Sequence, residues 1–147
     1  MRVNSVLSPA TDRILRSARV VFGAIAVVSA LTVLAAFVLQ RVDPDQVNWV
    51  VWLRAVAYTV GGVWLLTLVR SARQSASRAA LLRLRVVCVL APLGIAALVI
   101  SPDSGYPVWM KVEQALFGLM LAPLAVVLLR SSVTRDFRRA RQSTAAA

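Results

Sequence analysis

The chain has no histidine and a single cysteine, Cys88, among its 147 residues. One cysteine cannot close a disulfide within the chain, and without imidazole no Cys/His metal site can be assembled. Cys88 lies inside an apolar run, where a free thiol behaves as a small hydrophobe. Acidic groups are scarce as well: Asp12, Asp43, Asp45, Asp103, Glu113 and Asp136 are all there are. This alphabet offers no nucleophile with a base, no catalytic carboxylate pair and no phosphate-cradling or dinucleotide-binding glycine motif. Asp43 and Asp45 share one short loop, which reads as a solvated turn before it reads as a cation site. The expectation is a protein with no catalytic residue, no metal and no cofactor, and so not an enzyme. Lysine is nearly missing too, since every one of the 17 basic residues except Lys111 is arginine. With the abundant Ala and Val, that bias fits a GC-rich coding sequence.

What the chain does have is apolar surface: 59% of its residues are hydrophobic, against roughly 45–50% in soluble domains. A soluble domain of this size could not bury that much. The net charge is nevertheless +11. A nucleic-acid-binding domain carries such charge on a folded polar face, whereas here the charges sit in the gaps between apolar runs, so no nucleic-acid partner is expected.

A membrane-spanning helix needs about 20 mostly apolar residues. Four such runs are present, at 20–39, 49–69, 86–102 and 108–129. The first exceeds the apolar core of a signal peptide, and no small-residue cleavage site follows it, so it is read as a permanent helix. Pro92 and Pro123 fall inside the third and fourth runs, where membrane helices tolerate a kink. Arg2, Arg13, Arg16 and Arg19 precede the first run. Arg70, Arg73, Arg78, Arg83 and Arg85 lie between the second and third, and Arg130, Arg135, Arg138, Arg139 and Arg141 follow the fourth. Only Arg41, Arg54 and Lys111 belong to the other side. The positive-inside rule then places residues 1–19, the middle loop and residues 130–147 in the cytoplasm. The fold expected is an all-α membrane protein, one transmembrane domain over 1–147, with four helices arranged as two hairpins and both termini inside. Ala, Ser, Arg and Leu dominate 71–82, which predicts helix continuing into the middle loop.

The two hairpins resemble each other. Pro44-Asp45 leads to Val51-Trp52-Leu53-Arg54, and Pro102-Asp103 leads to Val108-Trp109-Met110-Lys111, with Gly61 and Gly118 at equal distance beyond each Trp. An internal two-helix repeat would relate them about the membrane normal. Trp49, Trp52, Tyr106 and Trp109 form a candidate interfacial aromatic belt on the outer side, from which Arg54 and Lys111 could snorkel outward.

Glu113 stands out because it lies about one turn inside that belt, beside Gln114, with Arg54 at similar depth on the second helix. Charges inside a bilayer need water or a partner. Arg54 and Glu113 are therefore a candidate intramembrane ion pair, with Gln114 and Tyr58 completing a polar site. A structural clamp is the plainer meaning of that site, and an ion, proton or substrate site the sharper one. Thr32, Ser29, Thr59 and Thr67 are weaker polar candidates at mid-membrane. Gly61 and Gly62 on the second helix, and Gly118 and Ala122 on the fourth, mark small-residue faces through which those two helices are expected to pack. In the last segment, Val133 and Phe137 stand four apart among arginines, suggesting an interfacial helix whose Arg135, Arg138, Arg139 and Arg141 contact anionic lipid.

The stretch from Arg83-Leu-Arg-Val-Val through Trp109-Met-Lys-Val-Glu-Gln resembles small integral membrane proteins of high-GC Gram-positive bacteria. The resemblance covers the second hairpin, implies four helices and a bacterial plasma membrane, and brings no activity with it. The functional expectation is a non-enzymatic interaction, accessory or scaffold subunit, partnered by the bilayer and by another membrane protein or its own copies. The alternative is a small oligomeric transporter or channel subunit.

Overall fold

In the computed structural model, residues 7–101 and 106–145 are described. They form five α-helices: α1 (Pro9–Val42), α2 (Trp49–Ser75), α3 (Arg78–Ile100), α4 (Val108–Leu128) and α5 (Ser131–Ala145), with one turn of 3-10 helix at Pro44–Gln46. No strand occurs among the described residues. The first four helices are long and apolar enough to cross a membrane, which makes the chain an all-α, multi-pass membrane fold.

Local chemistry explains the helix ends. The Ser8 hydroxyl oxygen accepts from the Thr11 N–H at 3.3 Å, and Pro9 occupies the first turn, where its missing N–H costs nothing. The segment 1–19, taken from the sequence as a tail, is therefore helical from Pro9. Asn48 caps α2 by accepting from the Val51 N–H at 3.1 Å. Only Ala76 and Ser77 separate α2 from α3. Ala76 adopts a left-handed conformation (φ 46°), and the Ser77 hydroxyl starts the next helix by accepting from Ala80 N–H at 3.3 Å. Helix thus enters the middle loop from both sides. Pro92 and Pro123 lie within α3 and α4, both of which continue past them. Pro102, assigned to the third span, and Asp103 lie outside the described residues.

The helices close a ring. α1 packs on α2, α3 on α4, α2 on α3 and α1 on α4, an up-down-up-down bundle with short connections. The backbones of α2 and α4 barely approach, so they are diagonal. This corrects the expectation that they meet through their small faces. Gly62 instead faces α1: a Cβ placed on it would lie 2.8 Å from the Ala26 Cβ. Gly118 faces α3, with a Cβ there 3.2 Å from Ile95 Cγ2. Gly61 meets open space, and Ala122 is exposed. The small residues serve contacts between neighbours, where close backbone approach replaces the absent hydrophobic drive between helices in lipid. The position matching Gly118 in the sequence repeat, Gly61, does not share its role.

The core fills the Arg-rich half of the bundle: Phe22, Leu68, Leu84, Leu124, Val133 and Phe137 belong to one continuous cluster. Outward faces carry exposed Val27, Leu31, Leu34, Leu90 and Leu119, as lipid-facing helices should. A smaller cluster of Ala36, Val51 and Met110 lies at the Trp-lined end.

α5 folds back onto the Arg-rich end. Val133 and Phe137 are fully buried against the bundle, not turned to lipid as the sequence suggested. Asp136 accepts hydrogen bonds from the hydroxyls of Ser8 and Thr11. On α3, Arg85 Nε donates to the Leu128 carbonyl oxygen at 2.8 Å and Nη2 to the Thr134 hydroxyl at 2.9 Å, satisfying a carbonyl at the end of α4. Asp12 joins α1 to α2 by accepting from Arg73 Nε at 2.9 Å.

Two expectations follow. Gly62→Leu should lower resistance to unfolding in detergent by about 1–3 kcal/mol through overpacking against Ala26, while Gly61→Leu should be tolerated; equal tolerance at the two sites would refute the α1–α2 contact. The Ser8 and Thr11 hydrogen bonds hold the Asp136 carboxyl below its usual 3.8. A depressed folded value stabilises docked α5 above pH 3.8, and that contribution is lost as pH falls through the folded value. Hydrogen-exchange protection in α5, corrected for the intrinsic pH dependence of amide exchange, should therefore fall on acidification through that range, and Asp136→Asn should flatten the dependence. An unchanged acid response in the variant would count against the tether.

Candidate functional site

Between the two apolar clusters lies a polar one, built from three helices. Arg54 on α2 is almost wholly buried, its side chain 3% exposed, and its Nη1 donates to Glu113 Oε2 on α4 at 2.7 Å. The other carboxylate oxygen, Oε1, accepts from the Thr32 hydroxyl of α1 at 2.9 Å. The Val28 carbonyl oxygen lies 3.0 Å from that same hydroxyl. Both oxygens of Glu113 are thereby engaged.

Gln114 completes the arrangement. A guanidinium only donates, so the Gln114 amide oxygen faces Arg54, accepting from Nη2 at 2.8 Å and from Nε. Its amide nitrogen then donates to the Tyr58 hydroxyl at 3.1 Å. The guanidinium carbon also sits 4.9 Å from the centre of the Tyr58 ring and 5.7 Å from that of Phe117. Those rings stack on each other at 6.0 Å. Each nitrogen of the guanidinium has an acceptor, and two aromatic rings lie close to it, an arrangement suited to arginine's planar, weakly hydrated cation.

Helical geometry explains the meeting. Arg54 and Glu113 each lie five residues into their helices, roughly 7.5 Å along the axis from Trp49 and Val108. In an up-down bundle α2 and α4 run in the same direction, so equal distance along the helix means equal depth. Diagonal helices leave a gap that long side chains can bridge. Chemically, the cluster holds a cation and an anion against each other inside the bundle, Glu113 being slightly exposed, and leaves little free valence for a further ligand.

The other sequence-nominated residues scatter. Trp49 is exposed. Trp52 packs edge-on against Phe37 of α1, ring centres 4.6 Å apart at 75°. Tyr106 and Trp109 pack against the Ala36–Val51–Met110 cluster, and the Trp109 indole N–H is buried without a hydrogen-bond partner among the described residues. Arg54 turns inward and does not snorkel. Lys111, its counterpart in the repeat, turns to the end of α3, where Nζ donates to the Ser101 carbonyl oxygen at 2.8 Å. Arg135, Arg138 and Arg139 are exposed on α5, and the Arg141 side chain lies outside the described residues. Of the hydroxyls, Thr59 and Thr67 donate to carbonyls of their own helix at 2.8 and 2.7 Å. Ser29 is fully buried and its hydroxyl has no partner among the described residues. Sequence reasoning missed Thr32 as the fifth member of the cluster, the one that brings in α1. Its depth was readable, but nothing in one helix's sequence shows which neighbour its hydroxyl meets.

No family model, no curated protein and no solved structure matches the chain. The fold and the buried cluster define a multi-pass α-helical membrane protein with an internal ion pair.

Removing one member of a buried pair strands the other. Arg54→Gln and Glu113→Gln should each destabilise the bundle, by up to about 3–5 kcal/mol, and the exchange Arg54→Glu with Glu113→Arg should restore part of the loss. A double-mutant cycle measured by unfolding in mixed micelles isolates the coupling. A coupling of zero would mean that each group is stabilised independently and that the pair is no clamp.

Proposed function

We propose that this protein is a non-enzymatic membrane subunit that works by association, as an accessory or scaffold component packing against another membrane protein or against further copies of itself. The observation that carries the reading is the closure of the polar cluster. Arg54, Glu113, Gln114, Tyr58 and Thr32 satisfy one another, so the charges in this cluster serve the bundle's own architecture. The Arg-rich end is taken as cytoplasmic by the positive-inside rule, in a bacterial plasma membrane of the kind the second-hairpin resemblance implies. Exposed Arg135, Arg138 and Arg139 on α5 would add electrostatic attraction to anionic lipid of about 1 kcal/mol each near the surface.

A second reading, a small oligomeric transporter or channel subunit, draws on Ser29. Its hydroxyl is buried at mid-membrane with no partner among the described residues, the kind of group a permeating species could use.

One set of measurements separates the readings. Reporter fusions after Arg73 and at the C-terminus should read cytoplasmic, and those at Asp45 external. Proteoliposomes holding the chain alone should keep an imposed salt or proton gradient, while a photo-crosslinker at Leu31, Leu34 or Leu119 in cells should give one discrete adduct confined to one face. Dissipation of the gradient that is abolished by Ser29→Ala would replace the first reading with the second.

A further inference from the structure

A cleft of about 710 Å³ opens between α1 and α2 at the Arg-rich end. Its polar wall holds Arg19, Arg70, Arg73 and Asp12, and its apolar wall includes Val63 and Leu66. The α2 contributions follow helical spacing, with Val63 two turns below Arg70, so the apolar wall descends roughly 10 Å along the helix from the charged rim. Arg19 immediately precedes the apolar run of α1, and Arg70 immediately follows that of α2. On antiparallel neighbours the two guanidinium groups therefore share one level, that of lipid headgroups. Arg73 is held by Asp12 at 2.9 Å, and Asp12 also meets Arg16 at 3.1 Å. Arg19 and Arg70 have no ion-pair partner among the described residues. The cleft thus has two uncommitted cations at its rim and a hydrocarbon-compatible wall beneath them, within the size range of ligand sites.

We propose that this cleft binds one anionic phospholipid from the surrounding bilayer, its phosphate between Arg19 and Arg70 and an acyl chain along Val63 and Leu66. Two arginines flanking a phosphate oxygen set make charge-assisted hydrogen bonds, and the apolar wall gives the chain a fixed surface in place of mobile lipid. A free phosphate would use the rim and leave the wall idle, so the combination of the two selects the lipid. The site needs only the membrane placement of the helices and is independent of the association role. It is also separate from the exposed arginines of α5.

The test is native mass spectrometry of the full chain released from detergent with defined phosphatidylglycerol, phosphatidylcholine or inorganic phosphate. The wild type should retain one phosphatidylglycerol in preference to phosphatidylcholine. Arg19→Gln with Arg70→Gln should weaken that retention about thirtyfold, as two near-surface arginines imply. Val63→Trp, which keeps every charge, should weaken it too, and it decides the matter if the double variant does not fold. Arg138→Gln with Arg139→Gln should leave the retained lipid in place. Equal retention of the two lipids, displacement of phosphatidylglycerol by inorganic phosphate, or retention unchanged in both cleft variants would each overturn the proposal.

Discussion

A guanidinium buried among four apolar helices imposes a condition that the rest of the bundle meets. Arg54 must find its counter-charge within reach, and Glu113 supplies it from the diagonal helix at 2.7 Å. That contact fixes the relative axial position of α2 and α4, which share little backbone contact of their own. Thr32 ties α1 to the same carboxylate. The small residues act in a complementary way. Gly62 against Ala26 and Gly118 against Ile95 draw neighbouring helices together, and the space left across the ring is bridged by long side chains. Close approach of neighbours at the glycines and the long-armed pair across the diagonal are two parts of one packing solution.

The two ends of the bundle are finished differently. At the Trp-lined end, Val47 and the rings of Trp52, Tyr106 and Trp109 pack over Ala36, Val51 and Met110. At the Arg-rich end, α5 returns as a lid, with Phe137 and Val133 inserted into the core and Arg85 and Asp136 bonding across helix ends. Several of the charges that read as topological signals also have structural duties, because an arginine near a helix end can satisfy orphan carbonyls there.

The four spans were legible because the apolar runs are long and their flanks charged, and the structure has four long apolar helices over those runs. The depth of Arg54 and Glu113 was legible for a similar reason: position along a helix converts directly into depth. Lateral arrangement was not. Gly62 and Gly118 announce close approach, but the partner of each depends on the rotation of a helix about its axis, which four nearly all-apolar helices encode weakly. The same ambiguity sent Val133 and Phe137 to lipid in the sequence reading, since an apolar stripe facing a membrane and one facing a core look alike. The helical start at Pro9, by contrast, was marked by Ser8 as cap and Pro9 behind it, and was hidden only by the polar residues that follow.

The ion pair joins residues 59 positions apart, which has a consequence for synthesis. At about 5–20 residues per second, Glu113 leaves the ribosome roughly 3–12 s after Arg54. Throughout that interval the first hairpin exists with its cation unanswered. Thr32 and Tyr58 are already present, but neither carries negative charge. The first hairpin is therefore an incomplete object that must keep Arg54 near the headgroup boundary until α4 arrives, and assembly of the second hairpin draws it inward. Biogenesis of the chain is then a matter of timing, with the late-made half neutralising a charge that the early-made half has had to hold at the membrane's edge.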